Sequence, residues 1–256
     1  MTAAALRTDG LVKRYGALLV TDQVSLDIEA GELHAVIGPN GAGKTTLINQ
    51  LSGELPADEG AIRFGEVDVT AWPVHQRARR GLLRSYQITS IFEAFSVLEN
   101  ATLAALGARE HAMRFWQPML ANRRARTAAE EALAAAGLAQ RGHVAAGELG
   151  YGERRQLELA MGLAAQPKFL LLDEPMAGMS VQESAAVIDL LRGLKRRYTI
   201  LLVEHDMDAV FALADRISVL VYGRVMCTGT PDEIRNHPDV RAVYLGEETP
   251  EGEGAR

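Results

Sequence analysis

Apolar residues occur along the chain in short runs of two kinds. In the second half, residues 169–172, 200–203 and 217–221 are apolar at nearly every position, which is typical of parallel strands that are buried on both faces. Between residues 24 and 28 apolar and polar side chains alternate, which predicts a half-exposed antiparallel strand. Each run is far shorter than the roughly 20 apolar residues that a membrane-spanning helix needs. The pattern therefore predicts a mostly parallel sheet with an antiparallel part near the N-terminus.

Other segments are rich in Ala and Leu and contain few strand formers. Residues 96–107, 124–137 and 154–165 have this composition, which favours helices. The irregular stretch 111–118, which ends in a helix-breaking proline, separates the first two segments. We therefore expect an α/β fold in which a block of helices is inserted between two parts of the sheet.

A glycine-rich segment follows the apolar run 33–37. It matches the phosphate-loop pattern G-x-x-x-x-G-K-[ST] without a mismatch and consists of Gly38, Pro39, Asn40, Gly41, Ala42, Gly43, Lys44, Thr45 and Thr46. Glycines allow the backbone to curl and to direct its N–H groups inward, and a helix that starts near Lys44 adds its positive dipole end. Lys44 would reach the β- and γ-phosphates, and Thr45 would hold Mg²⁺ through its hydroxyl. The segment predicts the binding of a nucleoside triphosphate.

Two carboxylates, Asp173 and Glu174, follow the apolar run 169–172 directly. At a strand end beside the phosphate loop, Asp173 can hold Mg²⁺ through its water shell. Glu174 can then orient and deprotonate a water molecule. His205 follows the next strand, where it is expected to sense the γ-phosphate. A solvated acidic turn and a structural histidine are the alternatives, and the phosphate loop upstream argues against both.

Three further features carry weaker signals. Tyr15 lies before the first long strand and could stack on a nucleobase through its π-face. A pair of glycines precedes the helical segment 154–165, so that Gly150, Tyr151, Gly152 and Glu153 predict an anion-accepting helix N-terminus. The arginine-rich stretch 72–84 predicts a solvated face, with contact to a partner or to lipid head groups as the alternative.

Composition and charge narrow the function classes. Hydrophobic residues make up 48% of the 256 residues, enough for a sizeable core. The formal net charge of −6 argues against general nucleic-acid binding through a basic surface. The single cysteine, Cys227, excludes an internal disulfide. The first residues lack the apolar core of a signal peptide, so we expect a cytoplasmic protein whose membrane role depends on a partner.

In order and approximate spacing, these motifs resemble the ATP-binding subunit of an ABC transporter. The resemblance covers essentially the whole chain and rests on the phosphate loop, Gln87, residues 149–153, residues 169–175 and His205. Finer details resemble the branched-chain (hydrophobic) amino acid uptake group, whose relatives also serve urea, amides and other small solutes. They are Arg84-Ser85-Tyr86-Gln87, Ser96-Val97-Leu98-Glu99-Asn100, Ala177-Gly178-Met179 and the ending from His237 to Glu247.

The resemblance implies a single ABC ATP-binding domain spanning residues 1–256, with a P-loop NTPase core. The nucleotide core would comprise residues 1–87 and 166–230, the helical insertion residues 88–165 and the C-terminal helical tail residues 231–256. Such a subunit would lie on the cytoplasmic face of the inner membrane as a peripheral protein. Its partners would be a second ATP-binding subunit, identical or paralogous, integral-membrane permease subunits and, indirectly, a solute-binding protein.

The resemblance also implies roles for individual residues. Tyr15 would stack on adenine, and Gln87 would touch Mg²⁺ and couple the site to the membrane subunits. The segment Gly150 to Glu153 would bind the γ-phosphate of ATP that the opposite subunit holds, so that two domains close head to tail around two ATP molecules. Glu174 would act as the general base while His205 positions the γ-phosphate. Hydrolysis would reopen the dimer, and the helical insertion would pass the motion to the permease.

Two residues depart from the family pattern. The usual Leu-Ser-Gly-Gly-Gln is here Leu149-Gly150-Tyr151-Gly152-Glu153. Gly150 therefore lacks a hydroxyl whose charge-assisted hydrogen bond is worth ~1.5–3 kcal/mol, and we expect weaker dimer closure. Ser180 stands near the position of the usual aspartate after the catalytic glutamate, which could alter communication between the two sites.

Two alternatives to an importer ATPase remain. One is an ABC ATPase without transport, such as a soluble assembly scaffold for iron–sulfur clusters, and the other is a lipid-export ATPase.

Overall fold

The structure is a computed structural model, and it describes residues 4–84, 91–107 and 121–244. The strands in these ranges are β1 (Ala4–Tyr15), β2 (Leu18–Glu29), β3 (Leu33–Ile37), β4 (Glu59–Phe64), β5 (Val67–Asp68), β6 (Leu82–Arg84), β7 (Phe169–Asp173), β8 (Thr199–Val203), β9 (Arg216–Val221) and β10 (Arg224–Gly229). The helices are α1 (Lys44–Ser52), α2 (Val74–Arg80), α3 (Val97–Gly107), α4 (Arg123–Ala135), α5 (Tyr151–Ala164), α6 (Val181–Leu194), α7 (Met207–Leu213), α8 (Pro231–Asn236) and α9 (Pro238–Tyr244).

The strands form two sheets. An antiparallel sheet has the order β2-β1-β4-β5, and a six-stranded sheet has the order β10-β9-β3-β8-β7-β6. In the larger sheet all neighbouring pairs are parallel except the β9–β10 hairpin at one edge. The strands β3, β7 and β8 are buried at every residue, as the continuous apolar runs predict. The expected α/β architecture is confirmed.

Helix α1 lies between the two sheets. One core cluster joins its residues Leu47, Ile48 and Leu51 to apolar side chains of the antiparallel sheet and to Leu171 of the larger sheet. The neighbouring residues of the same strand, such as Leu172, belong to a second cluster with the helices α3 to α7. Successive side chains of a strand point to opposite faces, so the larger sheet separates two cores. The helix that begins at the phosphate loop is therefore packed on two sides.

Most predicted elements are present at the expected places. The alternating segment is the second half of β2, with Val24, Leu26 and Ile28 buried and the residues between them exposed. The helices α3, α4 and α5 occupy the three predicted segments. The described part of the C-terminal tail, residues 231–244, is two short helices that meet at His237, because Pro238 begins a new helix there. Among the described helices, none is long and apolar enough to cross a membrane.

The prediction of a solvated arginine face is wrong for two of its members. Arg77 is 1% exposed and donates hydrogen bonds to four backbone carbonyls, those of Gln50, Leu51, Thr70 and Trp72. Two of these carbonyls belong to the last turn of α1, where a cation complements the helix dipole. Burial lowers the pKa of Arg77 to about 10, so the guanidinium remains charged at neutral pH. Arg84 is also largely buried and forms ion pairs, whereas Arg79 and Arg80 are exposed as predicted.

Candidate functional site

The phosphate loop connects β3 to α1, and close packing of its backbone explains two of its glycines. A Cβ atom on Gly38 would collide with the carbonyl oxygen of Leu220. Gly43 has φ 101°, and a Cβ atom there would lie 2.5 Å from the carbonyl oxygen of Val20. The loop is thus wedged between β9 and β2, and only glycine fits at these two positions. Its shape is fixed by the surrounding sheets.

The helix α1 begins at Lys44, and its first intrahelical bond runs from the Leu47 N–H to the Gly43 carbonyl, at 2.9 Å. The amides of Lys44, Thr45 and Thr46 are therefore first-turn donors, which an α-helix leaves without intrahelical partners. Gly43 supplies no side-chain cap. Together with the helix dipole, these N–H groups form a cradle for an anion.

The Lys44 ammonium lies over the loop itself. Its Nζ donates to the carbonyl oxygens of Gly38, at 2.6 Å, and Pro39, at 3.1 Å. Burial lowers the pKa of Lys44, and the charges of Glu174 and Asp173 oppose that shift. The two carboxylates at the end of β7 are thus within electrostatic reach of the phosphate-loop lysine. The sequence predicted this convergence, and the described geometry brings the three side chains together.

Asp173 and Glu174 have different environments. Asp173 is 6% exposed, and burial raises its pKa although the nearby Arg84 guanidinium opposes the shift. Glu174 has a half-buried side chain, φ 47° and an N–H that donates to the Val203 carbonyl at 2.9 Å. A positive φ at a residue other than glycine is a strained conformation that is concentrated at functional sites. The backbone thereby directs Glu174 toward solvent at the end of the strand, where a water molecule can reach it.

His205 lies beside Glu174 at the end of the neighbouring strand. Its Nδ1 is 3.9 Å from Glu174 Oε1, and its ring is 66% exposed. The adjacent Glu204 is 1% exposed and accepts hydrogen bonds from the N–H groups of Met176 and His205, at 3.0 and 3.1 Å. Burial raises the pKa of Glu204, and these amides oppose the shift. Glu204 joins the turns after β7 and β8, a role that the sequence analysis missed although this carboxylate directly follows an apolar strand.

The segment Gly150 to Glu153 forms the N-terminus of α5, and its contacts lead to a different part of the chain. Tyr151 Oη donates to the Ala177 carbonyl at 3.4 Å, and the Gly152 N–H donates to Glu183 Oε1 at 3.1 Å. Glu153 accepts from the Gly150 N–H at 3.2 Å. Among the hydrogen bonds of the described residues, none joins this segment to the phosphate loop. A cavity of about 280 Å³ opens here between the starts of α5 and α6.

The remaining predicted ligand among the described residues is Tyr15, on the antiparallel sheet. Tyr15 ends β1, is 52% exposed and has Lys13 Nζ 5.8 Å from its ring centroid. An exposed aromatic ring on a strand paired with β2 is accessible to a nucleobase. Gln87 lies outside the described residues.

The donor set fits Mg²⁺ rather than a metal held by protein side chains alone. Among the described residues there is no group of three or more His, Cys, Asp and Glu side chains that could hold a metal ion. Thr45 at the start of α1 and Asp173 at the end of β7 offer a hydroxyl and a carboxylate. Mg²⁺ prefers oxygen donors and usually takes one or two protein ligands, together with phosphate oxygens and water. The residues present therefore fit this ion in the presence of a bound nucleotide.

Comparison with known proteins decides the family. The family model described as "ABC transporter" matches residues 21–177. The chain belongs to the ABC transporter family. A second model, "Branched-chain amino acid ATP-binding cassette transporter", matches residues 224–249 of this ABC protein.

Relatives of this ABC protein match over almost its full length. It is 38% identical to the high-affinity branched-chain amino acid transport ATP-binding protein LivG of Salmonella typhimurium, over 96% of this chain and 100% of the relative. It is 36% identical to the corresponding protein BraF of Pseudomonas aeruginosa, with the same coverage. The crystal structure of the ADP conformation of an ATP-binding cassette of an ABC transporter superposes with a TM-score of 0.84 at 28% identity, over 96% of this chain and 100% of that one.

Proposed function

We propose that this chain is the ATP-binding subunit of an importer, and that it hydrolyses ATP to drive the uptake of branched-chain or related amino acids through a partner permease. The observation that carries the ATPase part is the convergence of Lys44, Asp173 and Glu174 at the carboxyl ends of β3 and β7, two parallel strands with β8 between them. The identity to LivG and BraF and the C-terminal match at residues 224–249 support the solute class.

In this mechanism the phosphate loop binds the triphosphate through its backbone amides. The Lys44 ammonium exchanges the carbonyls of Gly38 and Pro39 for phosphate oxygens, and Tyr15 stacks on the adenine. Thr45 and Asp173, together with Gln87, would hold Mg²⁺, which neutralises charge on the phosphates. Glu174 orients and deprotonates the attacking water, while His205 donates a hydrogen bond to the γ-phosphate.

The segment Gly150 to Glu153 completes the site of a second subunit. Its position at the N-terminus of α5, away from the phosphate loop of the same chain, supports a composite site that forms between two chains. Two subunits would close around two ATP molecules and reopen after hydrolysis. The block of helices α3 to α5 would pass this motion to the permease, and the solute would be delivered by a separate binding protein.

The catalytic assignment is tested with Glu174→Gln. This variant removes the base but keeps the shape of the side chain, so it should bind ATP, accumulate as a closed dimer and lose turnover. Nucleotide titration, sedimentation velocity with ATP and phosphate release measure the three properties. Lys44→Ala is the matched control for binding, because it should lose nucleotide affinity. Appreciable phosphate release by Glu174→Gln would show that Glu174 is not the general base. Unchanged nucleotide binding by Lys44→Ala would contradict the assignment of the phosphate loop as the triphosphate site.

The transport assignment is tested by co-purification with a permease and reconstitution in lipid vesicles. ATP hydrolysis should rise when a solute-binding protein loaded with leucine, isoleucine or valine is added, and the empty binding protein is the control. Failure to associate with any membrane subunit would favour the soluble scaffold. Association without stimulation by a binding protein would favour lipid export.

A further inference from the structure

Arg84 joins the elements that form the proposed nucleotide site. It is the last residue of β6, which pairs in parallel with β7. Its side chain is 11% exposed. Nη1 donates to Asn49 Oδ1 at 2.6 Å and to Glu54 Oε2 at 2.7 Å, and Nη2 donates to Asp173 Oδ2 at 3.3 Å. One guanidinium therefore connects the end of the phosphate-loop helix to the carboxylate that we assign to Mg²⁺.

The geometry of these hydrogen bonds can fix the orientation of the Asp173 carboxylate. A guanidinium is planar and its N–H groups form a rigid fork. Because two short bonds on Nη1 fix that plane against Asn49 and Glu54, Nη2 is directed at one oxygen of Asp173. Asp173 itself is buried, so few water molecules can restrain its carboxylate. A lysine at position 84 would supply the charge without the fork.

A purely structural ion pair is the simplest alternative. Removing such a pair would lower the stability of the fold and weaken nucleotide binding with and without metal equally. The position of Arg84 argues for a more specific role, because its buried partner is a predicted metal ligand and not a surface carboxylate. Residues that orient a metal ligand typically change metal affinity about 10- to 100-fold when they are replaced.

We propose that Arg84 is a positioning residue for Mg²⁺, which restrains the Asp173 carboxylate in the orientation used to hold the ion. The inference rests on the proposed function, since it takes Asp173 as the Mg²⁺ ligand. Arg84 touches neither the nucleotide nor the metal in this role. It acts only through Asp173.

The test compares Arg84→Gln and Arg84→Lys with the wild-type protein in binding a fluorescent ATP analogue, first in EDTA and then across a Mg²⁺ titration. For Arg84→Gln we expect unchanged affinity in EDTA and a Mg²⁺ half-saturation concentration that rises about 10- to 100-fold. Arg84→Lys should restore only part of the Mg²⁺ response. Arg63→Gln is the matched charge control, because Arg63 forms a surface ion pair with Asp9 and its loss should leave both affinities unchanged.

An unchanged Mg²⁺ half-saturation in folded Arg84→Gln would overturn the inference, and so would a lower one, which would mean that the Arg84 charge competes with the ion. If Arg84→Gln fails to fold, Glu54→Ala replaces it. That change removes an anchor of Arg84 without touching Asp173 and should shift the response in the same direction, so an unchanged response overturns the inference. Asp173→Asn tests the metal ligand itself: if this variant binds Mg²⁺–nucleotide like the wild type, the assignment of Asp173 fails, whatever Arg84 does.

Discussion

At the scale of the residue, Gly150 lacks the hydroxyl that the family pattern places at the start of α5. It has φ −65°, an ordinary value for any residue, and a Cβ atom there would lie 4.0 Å from its nearest neighbour, Glu153 Oε2. A serine side chain therefore fits without strain. The glycine is not required by the backbone, in contrast to Gly38 and Gly43.

Gly150→Ser should therefore strengthen ATP-driven dimerisation. In the proposed composite site, a hydroxyl at this position would add a charge-assisted hydrogen bond to the γ-phosphate that the opposite subunit holds, worth ~1.5–3 kcal/mol, which corresponds to a roughly tenfold or greater gain in affinity. Sedimentation equilibrium of the Glu174→Gln protein with and without Gly150→Ser measures this gain under conditions without turnover. Gly150→Ala is the control, because it adds a Cβ atom but no hydroxyl. Equal dimerisation by the serine and alanine variants would show that the hydroxyl is not limiting.

At the scale of the element, α5 and α6 are joined by a carboxylate that accepts a hydrogen bond from a backbone amide of the proposed composite site. Glu183 forms a capping box with Ser180 at the start of α6 and also accepts the Gly152 N–H. The same N–H belongs to the segment that is proposed to bind the γ-phosphate. The carboxylate and the phosphate would therefore compete for the donor and repel each other.

Glu183→Gln should keep the cap, since glutamine also forms a capping box, and should remove the negative charge. We expect ATP-driven dimerisation to strengthen several-fold, with a change in unfolding free energy of about 1 kcal/mol or less. Analytical ultracentrifugation and urea unfolding measure the two effects. The exposed Asp189 in the middle of the same helix gives the charge control, Asp189→Asn. If both variants dimerise like the parent protein, Glu183 does not restrain closure.

Arg77 of α2 joins that helix to the C-terminal end of α1 through hydrogen bonds to backbone carbonyls. Arg77→Met should lower the unfolding free energy by about 3 kcal/mol. Four backbone carbonyls would lose their charge-assisted hydrogen bonds in a buried place where water cannot substitute for the guanidinium. Arg79→Met, two residues along the same helix and exposed, should change it by less than about 0.5 kcal/mol. Urea unfolding followed by circular dichroism measures both. Equal urea midpoints for the two variants would mean that the hydrogen bonds of Arg77 to these carbonyls do not stabilise the fold.

The sequence predicted local structure and the phosphate-binding motifs but not these contacts. The strands β7 and β8 follow from apolar residues at every position, and the phosphate loop follows from a local pattern. The burial of Arg77 and Arg84 does not follow, because the arginines lie in a polar stretch and their acceptors, such as Gln50 and Asp173, are distant in sequence. Likewise, no local pattern indicates that Glu183 reaches Gly152. Side-chain partners across elements depend on packing, which the pattern of one element does not contain.

At the scale of the whole molecule, the two sheets are joined by a polar chain, a series of hydrogen-bonded side chains of which Glu32, His34 and Ser218 are buried. Glu32 Oε1 lies 2.8 Å from His34 Nδ1, and His34 Nε2 lies 2.8 Å from Ser218 Oγ. Ser218 Oγ lies 2.6 Å from Thr228 Oγ1 on the edge strand. Glu32 also accepts the N–H of Glu29 at the end of β2. These hydrogen bonds connect the antiparallel sheet to three strands of the larger sheet.

The polar chain makes the free energy of unfolding depend on pH through the charge of Glu32. Burial alone would raise the pKa of Glu32, but its hydrogen bonds with His34 and the Glu29 amide outweigh burial and lower it below the ordinary value of 4.5. A carboxyl whose pKa is lower in the folded state adds stability above the unfolded-state pKa, and this stability is lost as the pH falls through the folded-state pKa. The contribution of Glu32 is therefore complete at pH 7 and declines below about pH 4.5.

Glu32→Gln should lower the unfolding free energy at pH 7 by roughly 1.5–3 kcal/mol, the usual range for a hydrogen bond to a charged group. Between pH 4.5 and pH 3 the difference from the wild type should shrink, because the wild-type carboxyl also becomes neutral. Urea unfolding at a series of pH values measures it, and Glu66→Gln, an exposed residue in the turn between β4 and β5, is the control with no expected effect. A difference that stays constant down to pH 3 would mean that the amide differs from the carboxylate in packing and not in charge, and the polar chain would then hold the sheets together without acting as a charge-dependent link.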